Sequence, residues 1–430
     1  MPAAEVLAIH GGTPVIEKSF PPYRSLGDEE ISAANRVLQT GVLSAFIGAP
    51  GPFFYGGPEV QALEREAAER FGVKHVVSVN SWTSGLVAAM GAIGLEPGDE
   101  VIVTPWTMVA TATAILQWNA IPVFADIDPQ TFNIDPNAVE AAITPRTRAI
   151  AAVDIFGQSA DMPALRAIAD RHGLQLVTDT AQAPGALLHE VPAGTTADIG
   201  GFSLNYHKHI HCGEGGLLVT NDDRLAERLR LIRNHGEAVI NSDQPEELAN
   251  ILGQNFRLGE IEAAIAREQL HKLPSLVASR QRAAARLTQA LSRLPGLSPP
   301  EVSPNATHVY YVYGMTLDLG KLNRDRAWIV QALKAEGVTG LLEGYQNIHL
   351  NPLFRHRIAY GTTGFPWTGL SSGDSSIRYG PGLCPVAEHL HQHAFFGLLL
   401  TAHAFTDEEV DFVIAAFEKV WTDLVRSSPL

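Results

Sequence analysis

The chain has 430 residues, of which 46% are hydrophobic and 18% charged, and its formal net charge at pH 7 is −15. This length predicts a large domain plus a smaller one, and an acidic chain without a basic run disfavours nucleic acid and membrane surfaces as partners. The N-terminal residues lack the pattern of a signal peptide, no apolar run is long enough for a bilayer, and the two cysteines lack metal-ligand spacing. We therefore expect a cytoplasmic protein without a disulfide framework or a bound metal.

Residues 1–60 are rich in Gly and Pro and predict irregular structure, most clearly in GAPGPFFYGGP at 48–58. From residue 60, short β-branched runs alternate with longer helical patterns. Predicted strands cover residues 75–79, 100–104, 121–127, 148–155, 174–178, 199–204 and 216–220. Predicted helices between them cover residues 83–93, 107–118, 136–143 and 161–172. This alternation is typical of βαβ units and predicts an α/β fold with a mostly parallel sheet flanked by helices.

A long helical pattern follows over residues 259–294, with an expected break near Pro274. We place the domain boundary after it, which gives a large domain over residues 1–296 and a smaller α/β domain over 297–430. The smaller domain is predicted to contain a strand at 308–317, a helix at 325–336, a Gly-rich connection at 361–382 and a last helix that begins with the capping-box pattern TDEE at 406–409.

The segment GFSLNYHKHIHCGEGG at 201–216 places a lysine on a loop after a predicted strand. Lys208 lies five residues after Ser203, and a turn-forming GEGG follows it. Open α/β sheets build their sites at such strand ends. A partly desolvated lysine beside a phosphate-binding hydroxyl is suited to bind a carbonyl cofactor covalently. Taken alone, the segment fits a solvated surface lysine equally well.

Two further strand ends carry polar side chains. Asp179 ends the apolar run LQLVTD, where a carboxylate could hold a protonated pyridine nitrogen. By itself, such an Asp is more often a turn or cap residue. After the first predicted strand come Ser81, Thr83, Ser84 and a helix. This pattern indicates either phosphate binding at a helix N-terminus or plain N-capping.

Together these segments resemble the DegT/StrS family of sugar aminotransferases, which are fold-type I enzymes that depend on pyridoxal 5'-phosphate (PLP). The resemblance covers nearly the whole chain and is carried by GGPEVQALEREAAERFG (56–72), LEPGDEVIVTPWTMVATATAIL (95–116), IPVFADIDPQTFNIDP (121–136), FGQSADM (156–162), GEGGLLVTND (213–222), IRNHG (232–236), NFRLGEIEAAIAREQL (255–270) and HLNP (349–352). It implies PLP as cofactor, glutamate or glutamine as amino donor, and a keto-sugar or keto-cyclitol as acceptor in amino-sugar or secondary-metabolite biosynthesis.

The resemblance also implies the residues that act on the cofactor ring. Lys208 matches the lysine that carries PLP as a Schiff base and then serves as the acid/base of the proton shift. Asp179 matches the partner of the pyridine nitrogen, and Gln182 matches a contact to the phenolic oxygen.

The phosphate ligands and the subunit contact follow in the same way. Ser203, Thr83 and the backbone N–H of Ser84 match phosphate ligands. Asn255 and Arg257 match a pair that reaches into the neighbouring subunit's site. That match implies a homodimer with shared active sites.

The chain departs from the family pattern at several positions. Trp82 stands where the family usually has Gly, which predicts a crowded or reshaped phosphate loop. Pro184 and Asp154 stand where it commonly has His. Met108 matches the position of the ring that stacks on PLP, and Trp106 lies two residues before it. Either side chain could cover the cofactor.

Candidate substrate contacts are His207, His349 and Tyr55. His207 precedes Lys208, His349 begins the HLNP motif, and Tyr55 lies in the Gly/Pro-rich segment, whose composition suits a lid. Histidines alternate around Lys208, but no carboxylate or Cys completes a metal site, so we expect none. Tyr311 is assigned to strand packing.

Three other functions remain open at this point. A dehydratase of the same family has His at the lysine position, which Lys208 argues against. A ring-forming or aromatising enzyme of the family keeps the lysine. A non-catalytic regulator or scaffold is disfavoured by the presence of Lys208, Asp179 and Ser203.

Overall fold

The structure is a computed structural model that describes residues 6–238, 248–370 and 373–426. Residues 1–5 of the predicted irregular N-terminal segment and residues 371–372 of the predicted Gly-rich connection lie outside these ranges. The α-helices of the described residues are α1 (Asp28–Thr40), α2 (Pro58–Phe71), α3 (Trp82–Ala92), α4 (Ala110–Leu116), α5 (Pro136–Ala142), α6 (Met162–His172), α7 (Asp223–Arg233), α8 (Glu260–Leu291), α9 (Arg326–Ala335), α10 (Pro352–Arg355), α11 (Pro385–His389) and α12 (Asp407–Arg426). Their strands are β1 (His75–Val79), β2 (Glu100–Val103), β3 (Ile121–Phe124), β4 (Thr147–Val153), β5 (Gln175–Asp179), β6 (Leu187–Leu188), β7 (Val191–Pro192), β8 (Ile199–Ser203), β9 (Gly216–Thr220), β10 (Leu297–Ser298), β11 (Val312–Leu317), β12 (Leu341–Glu343) and β13 (Phe395–Leu399).

The buried β-branched runs form a central sheet in the order β1-β9-β8-β5-β4-β2-β3. Strands β2, β3, β4, β5 and β8 are parallel, and β9 runs antiparallel to both of its neighbours. The predicted mostly parallel α/β sheet is therefore confirmed. In the register, Val153 pairs with Asp179, and Asp179 pairs with Gly201. The ends of β4, β5 and β8 consequently meet at one edge of the sheet, where ligands bind in this class of fold.

Local capping chemistry sets the helix ends. The Asp161 carboxylate accepts a hydrogen bond from the N–H of Ala164, and Gly173 ends α6 at a φ of 64°. At α12, Thr406 and Glu409 exchange side-chain-to-backbone hydrogen bonds, which confirms the predicted capping box.

Helix α8 is continuous through Pro274, so the predicted break near this residue is wrong. Proline removes one backbone hydrogen bond, at a cost of about 3 kcal/mol in a helix interior. Burial of Leu270, Leu273 and Val277 on either side of Pro274 offsets that cost, because these side chains pack into the core beneath the central sheet.

The C-terminal part of the chain contributes a four-stranded sheet in the order β10-β11-β13-β12. Its core also contains Leu287 and Leu291 from the end of α8, and Leu7 and Ile16 from the N-terminal segment. The domain boundary after residue 296 stays a prediction. Within the described ranges, no helix combines the length and apolar character needed to cross a membrane.

Candidate active site

A cavity of about 270 Å³ lies where the ends of β4, β5 and β8 meet the start of α3. Seven residues predicted for the site line it: Thr83, Met108, Asp179, Gln182, Ser203, His207 and Lys208. They come from four separate segments of the sequence, and the parallel sheet brings them together.

Lys208 lies on the loop that joins the antiparallel strands β8 and β9. Its side chain is buried, with 8% of its surface exposed, and its Nζ atom lies 4.6 Å from the ring centre of Tyr311. Among the described residues, no carboxylate lies within ion-pair distance of this amine. Burial lowers the pKa of Lys208 to about 8, against the opposing effect of the Asp179 charge. A larger neutral fraction makes the amine a better nucleophile near neutral pH.

This lowered pKa predicts how Lys208 reacts in the cofactor-free protein. Only the neutral amine is nucleophilic, so trace acetylation of Lys208 should rise between about pH 7 and about pH 9 and then level off. Lysines with the ordinary pKa of 10.5 should continue to gain reactivity beyond that range. Peptide mass mapping after labelling with acetic anhydride gives both curves. A Lys208 curve that parallels those of exposed lysines would contradict the prediction.

Asp179 ends β5 with its carboxylate bound by three donors. The indole N–H of Trp82 donates to Oδ1 over 2.7 Å, and the N–H of Ala181 donates to the same oxygen over 3.1 Å. The Thr111 hydroxyl donates to Oδ2 over 2.8 Å. These bonds hold the carboxylate in one orientation, next to the cavity. Sequence reasoning missed Trp82 and Thr111 as partners of Asp179, although Trp82 stood out as a departure.

The start of α3 offers hydroxyls and backbone N–H groups to the cavity. Ser81 caps the helix by accepting a hydrogen bond from the N–H of Ser84 over 3.0 Å. This N–H, which the resemblance predicts as a phosphate ligand, is therefore engaged by the cap here. The side chains of Thr83 and Ser203 line the same part of the cavity. The positive end of the helix dipole favours a phosphate at this place.

Gln182 is held by both ends of its amide. Its Oε1 atom accepts a hydrogen bond from the N–H of Phe156 over 2.9 Å, and its Nε2 atom lies 3.5 Å from the hydroxyl of Tyr345. Nearby, the fully buried Asp154 accepts from the Thr180 hydroxyl, and burial raises its pKa to about 7. Asp154 therefore holds the loop after β5 through its bond to Thr180, and it does not line the cavity.

Met108 and Trp106 have different environments. Met108 lines the cavity with 63% of its surface exposed. Trp106 is fully buried among Phe132, Tyr345 and Phe395. Of the two candidates, Met108 is therefore the one placed to pack on a ring in the cavity.

Besides Ser84, four predicted residues do not line this chain's cavity. His349 is fully buried and its Nε2 atom bonds to Glu388 over 3.0 Å, so the structure does not bring it to the site. Tyr55 is partly exposed at the end of a short 3-10 segment. Asn255 is exposed, and the guanidinium of Arg257 donates to the Asn234 side chain over 2.8 Å.

The histidines near Lys208 lie in different environments. His207 lies exposed at the cavity, and partial burial together with the Lys208 charge lowers its pKa. His209 is fully buried and bonds to the carbonyl of Val309 over 2.9 Å. Within the part of the chain that the structure describes, no group of His, Cys, Asp and Glu forms a metal site.

Tyr311 precedes β11 and packs its ring beneath the Lys208 amine. The assignment to strand packing therefore missed its contact with the site. The three-dimensional position of this residue depends on how the C-terminal sheet packs against the loop after β8, and no local pattern around Tyr311 encodes that contact.

The chemistry of these groups fits PLP. A buried amine without a carboxylate counterion suits the aldehyde, an oriented carboxylate suits the pyridine nitrogen, and a helix N-terminus with hydroxyls suits the phosphate. The fold and this set of groups define a PLP-dependent enzyme of fold-type I.

Comparison with known proteins identifies the family. The DegT/DnrJ/EryC1/StrS aminotransferase family matches residues 47–375. The chain is 35% identical over 356 residues to the spore coat polysaccharide biosynthesis protein SpsC of Bacillus subtilis, covering 81% of this chain and 88% of SpsC. It is 37% identical over 371 residues to the L-glutamine:2-deoxy-scyllo-inosose aminotransferase of Streptoalloteichus tenebrarius, covering 83% and 85%. The crystal structure of S. venezuelae DesV superposes with a TM-score of 0.76 and 32% identity, covering 91% of this chain and 94% of DesV. The chain therefore belongs to the DegT/DnrJ/EryC1/StrS family and is a PLP-dependent aminotransferase.

Proposed function

We propose that this enzyme transfers an amino group from L-glutamate or L-glutamine to a keto-sugar or keto-cyclitol, in amino-sugar or secondary-metabolite biosynthesis. The observation that carries the proposal is the buried Lys208 amine in one cavity with the oriented Asp179 carboxylate. The similarity to a protein named as a glutamine-dependent cyclitol aminotransferase supports the choice of donor and acceptor.

Bound PLP supplies an electron sink for the substrate carbon that loses or gains a proton. Lys208 would hold the cofactor and, with its amine free, would move a proton at its Nζ atom. Asp179 would hold the pyridine nitrogen, while Ser203, Thr83 and the start of α3 would bind the phosphate. Met108 would pack on the ring, and Gln182 would contact its phenolic oxygen.

His207 is suited to contact the substrate. It lies at the cavity next to Lys208, and its lowered pKa keeps the imidazole neutral near pH 7. A neutral imidazole has one donor and one acceptor, so it can bind a hydroxyl of a polyol without adding charge to the site.

The reaction is expected to run as two half-reactions in one cavity. The donor alone, L-glutamate or L-glutamine, should change the visible absorbance of the bound cofactor and release about one equivalent of its keto acid per site. The keto-sugar or keto-cyclitol should then restore the original spectrum, and steady-state kinetics should be ping-pong. The test is to record absorbance spectra of the holoenzyme with each donor. An Arg257→Ala holoenzyme, which is expected to be inactive, serves as the comparison.

An unchanged spectrum at high concentrations of both donors would contradict the aminotransferase proposal. That outcome would favour a ring-forming or aromatising reaction at the same lysine. A dehydratase is disfavoured by Lys208, and a non-catalytic scaffold by the joint presence of Lys208, Asp179 and Ser203 in one cavity.

We also propose a cytoplasmic homodimer in which each site uses residues of both chains. The side chains of Asn255 and Arg257 do not line their own chain's cavity, which suits side chains that complete the partner's site.

Subunit mixing tests this arrangement. Lys208→Ala and Arg257→Ala chains are each expected to be inactive alone. After exchange, half of the dimers are mixed and each mixed dimer has one intact site, so activity should recover to about a quarter of the wild-type level. Exchange is followed by mass spectrometry of differently tagged chains. If exchange is complete and activity stays absent, each site is built from a single chain.

A further inference from the structure

Trp82 is the first residue of α3, and its indole ring is almost completely buried, with 6% of the residue exposed. Two glycines make room for it. A Cβ atom at Gly201 on β8 would collide with the indole, and one at Gly85 would lie 2.7 Å from its Cε3 atom. A Cβ at Gly216 on β9 would lie 2.9 Å from the Cα of Trp82. Gly85 in the same helix, and Gly201 and Gly216 on strands far along the sequence, thus lack the side chain that would exclude Trp82.

The expectation that Trp82 crowds or reshapes the phosphate loop stays a prediction, and the structure shows where the Trp82 side chain lies, at the lining of the cavity. The indole extends over Gly85 and Gly201 and reaches the end of β5, where its N–H donates to Asp179 Oδ1 over 2.7 Å. The contact joins residues that are 97 positions apart in the sequence.

The hydrogen bond from Trp82 reduces the number of acceptor positions that Asp179 has left for a ligand. An ionised carboxylate has about four acceptor positions. Trp82, Ala181 and Thr111 occupy three of them, two on Oδ1 and one on Oδ2. One position therefore remains, on Oδ2. Because the indole is locked between helix and sheet, it also prevents rotation of the carboxylate about its χ2 torsion.

We propose that Trp82 is a positioning residue for PLP: its indole N–H holds the Asp179 carboxylate so that the remaining acceptor position of Oδ2 serves the pyridine nitrogen. The proposal rests on the role of Asp179 proposed above. A glycine at position 82 could not hold the Asp179 carboxylate in this way, because glycine has no side-chain hydrogen-bond donor.

The test replaces Trp82 with phenylalanine, which keeps an aromatic ring and removes the N–H. We expect kcat to fall roughly ten- to hundredfold, the range for loss of a hydrogen bond to a charged group, and the dissociation constant of PLP to rise by about the same factor. Trp367→Phe is the matched control. It removes the bond from another buried indole to the Tyr379 hydroxyl, away from the cavity, and should leave both quantities within about twofold.

A double-mutant cycle with Asp179→Asn separates positioning from a general loss of stability. If Trp82 acts through Asp179, adding Trp82→Phe to the Asp179→Asn chain should change kcat and PLP binding by less than about threefold. Equal effects of Trp82→Phe in both backgrounds would overturn the proposal. An Asp179→Asn enzyme with normal kcat and PLP binding would overturn the role of Asp179 itself, and the Trp82 proposal with it.

If the Trp82→Phe chain fails to fold, benzothienylalanine at position 82 replaces the indole N–H by sulfur at nearly constant shape. The same losses in kcat and PLP affinity are expected. Unchanged values with this analogue would also overturn the proposal.

Discussion

Replacement of Asp179 by alanine is expected to lower kcat roughly a thousandfold or more. The carboxylate would keep the pyridine nitrogen of PLP protonated, which makes the ring an electron sink. Its loss should therefore slow removal of the proton from the substrate carbon. Asp179 is 6% exposed, and its carboxylate accepts three hydrogen bonds. The measurement is single-turnover kinetics of the PLP-saturated variant with the amino donor.

The control for this prediction is Thr111→Val. It removes the hydroxyl bond to Oδ2 and leaves the carboxylate in place, so a loss of roughly tenfold is expected. Far-ultraviolet circular dichroism verifies that both variants are folded. Near-normal turnover of a folded Asp179→Ala enzyme would reduce Asp179 to a structural residue that ties α3 and α4 to the end of β5.

Lys208→Ala should remove both covalent cofactor attachment and the proton transfer at Nζ. General acid–base catalysis alone contributes roughly a hundred- to ten-thousandfold, so we expect kcat to fall by at least that range. Lys208→Arg is the matched control, because it keeps a cation over the Tyr311 ring without a nucleophilic amine. Both variants should be inactive, and small primary amines added to Lys208→Ala should restore part of the proton transfer. Activity of either variant above about a tenth of the wild-type level would contradict the assigned role.

Much of the fold followed from local patterns. The strands at 75–79 and 216–220 were predicted residue for residue, and the capped helix α6 was predicted to within one residue. Alternation of strands and helices predicts parallel pairing, because each helical crossover returns the chain to the end of the sheet where the preceding strand began. This is also why Asp179, Ser203 and Lys208 could be expected at one site from the sequence.

Contacts that depend on tertiary packing could not be predicted from local sequence patterns. The bond between Trp82 and Asp179 depends on space left by Gly85 and Gly201, and Tyr311 reaches Lys208 only because the C-terminal sheet packs there. His349 was predicted from its motif, yet its partner Glu388 lies 39 residues further along the chain. The continuous α8 through Pro274 likewise reflects burial on both sides, which outweighs the local preference of proline.

The most direct test of the account is the attachment site of the cofactor. Purified holoenzyme is reduced with borohydride, digested, and mapped by mass spectrometry for the peptide that carries the reduced cofactor. We expect a yellow protein whose label resides on Lys208 and is absent from the Lys208→Ala and Lys208→Arg chains. A label on another lysine, or none on a protein that retains PLP, would contradict the assignment of this cavity as the active site.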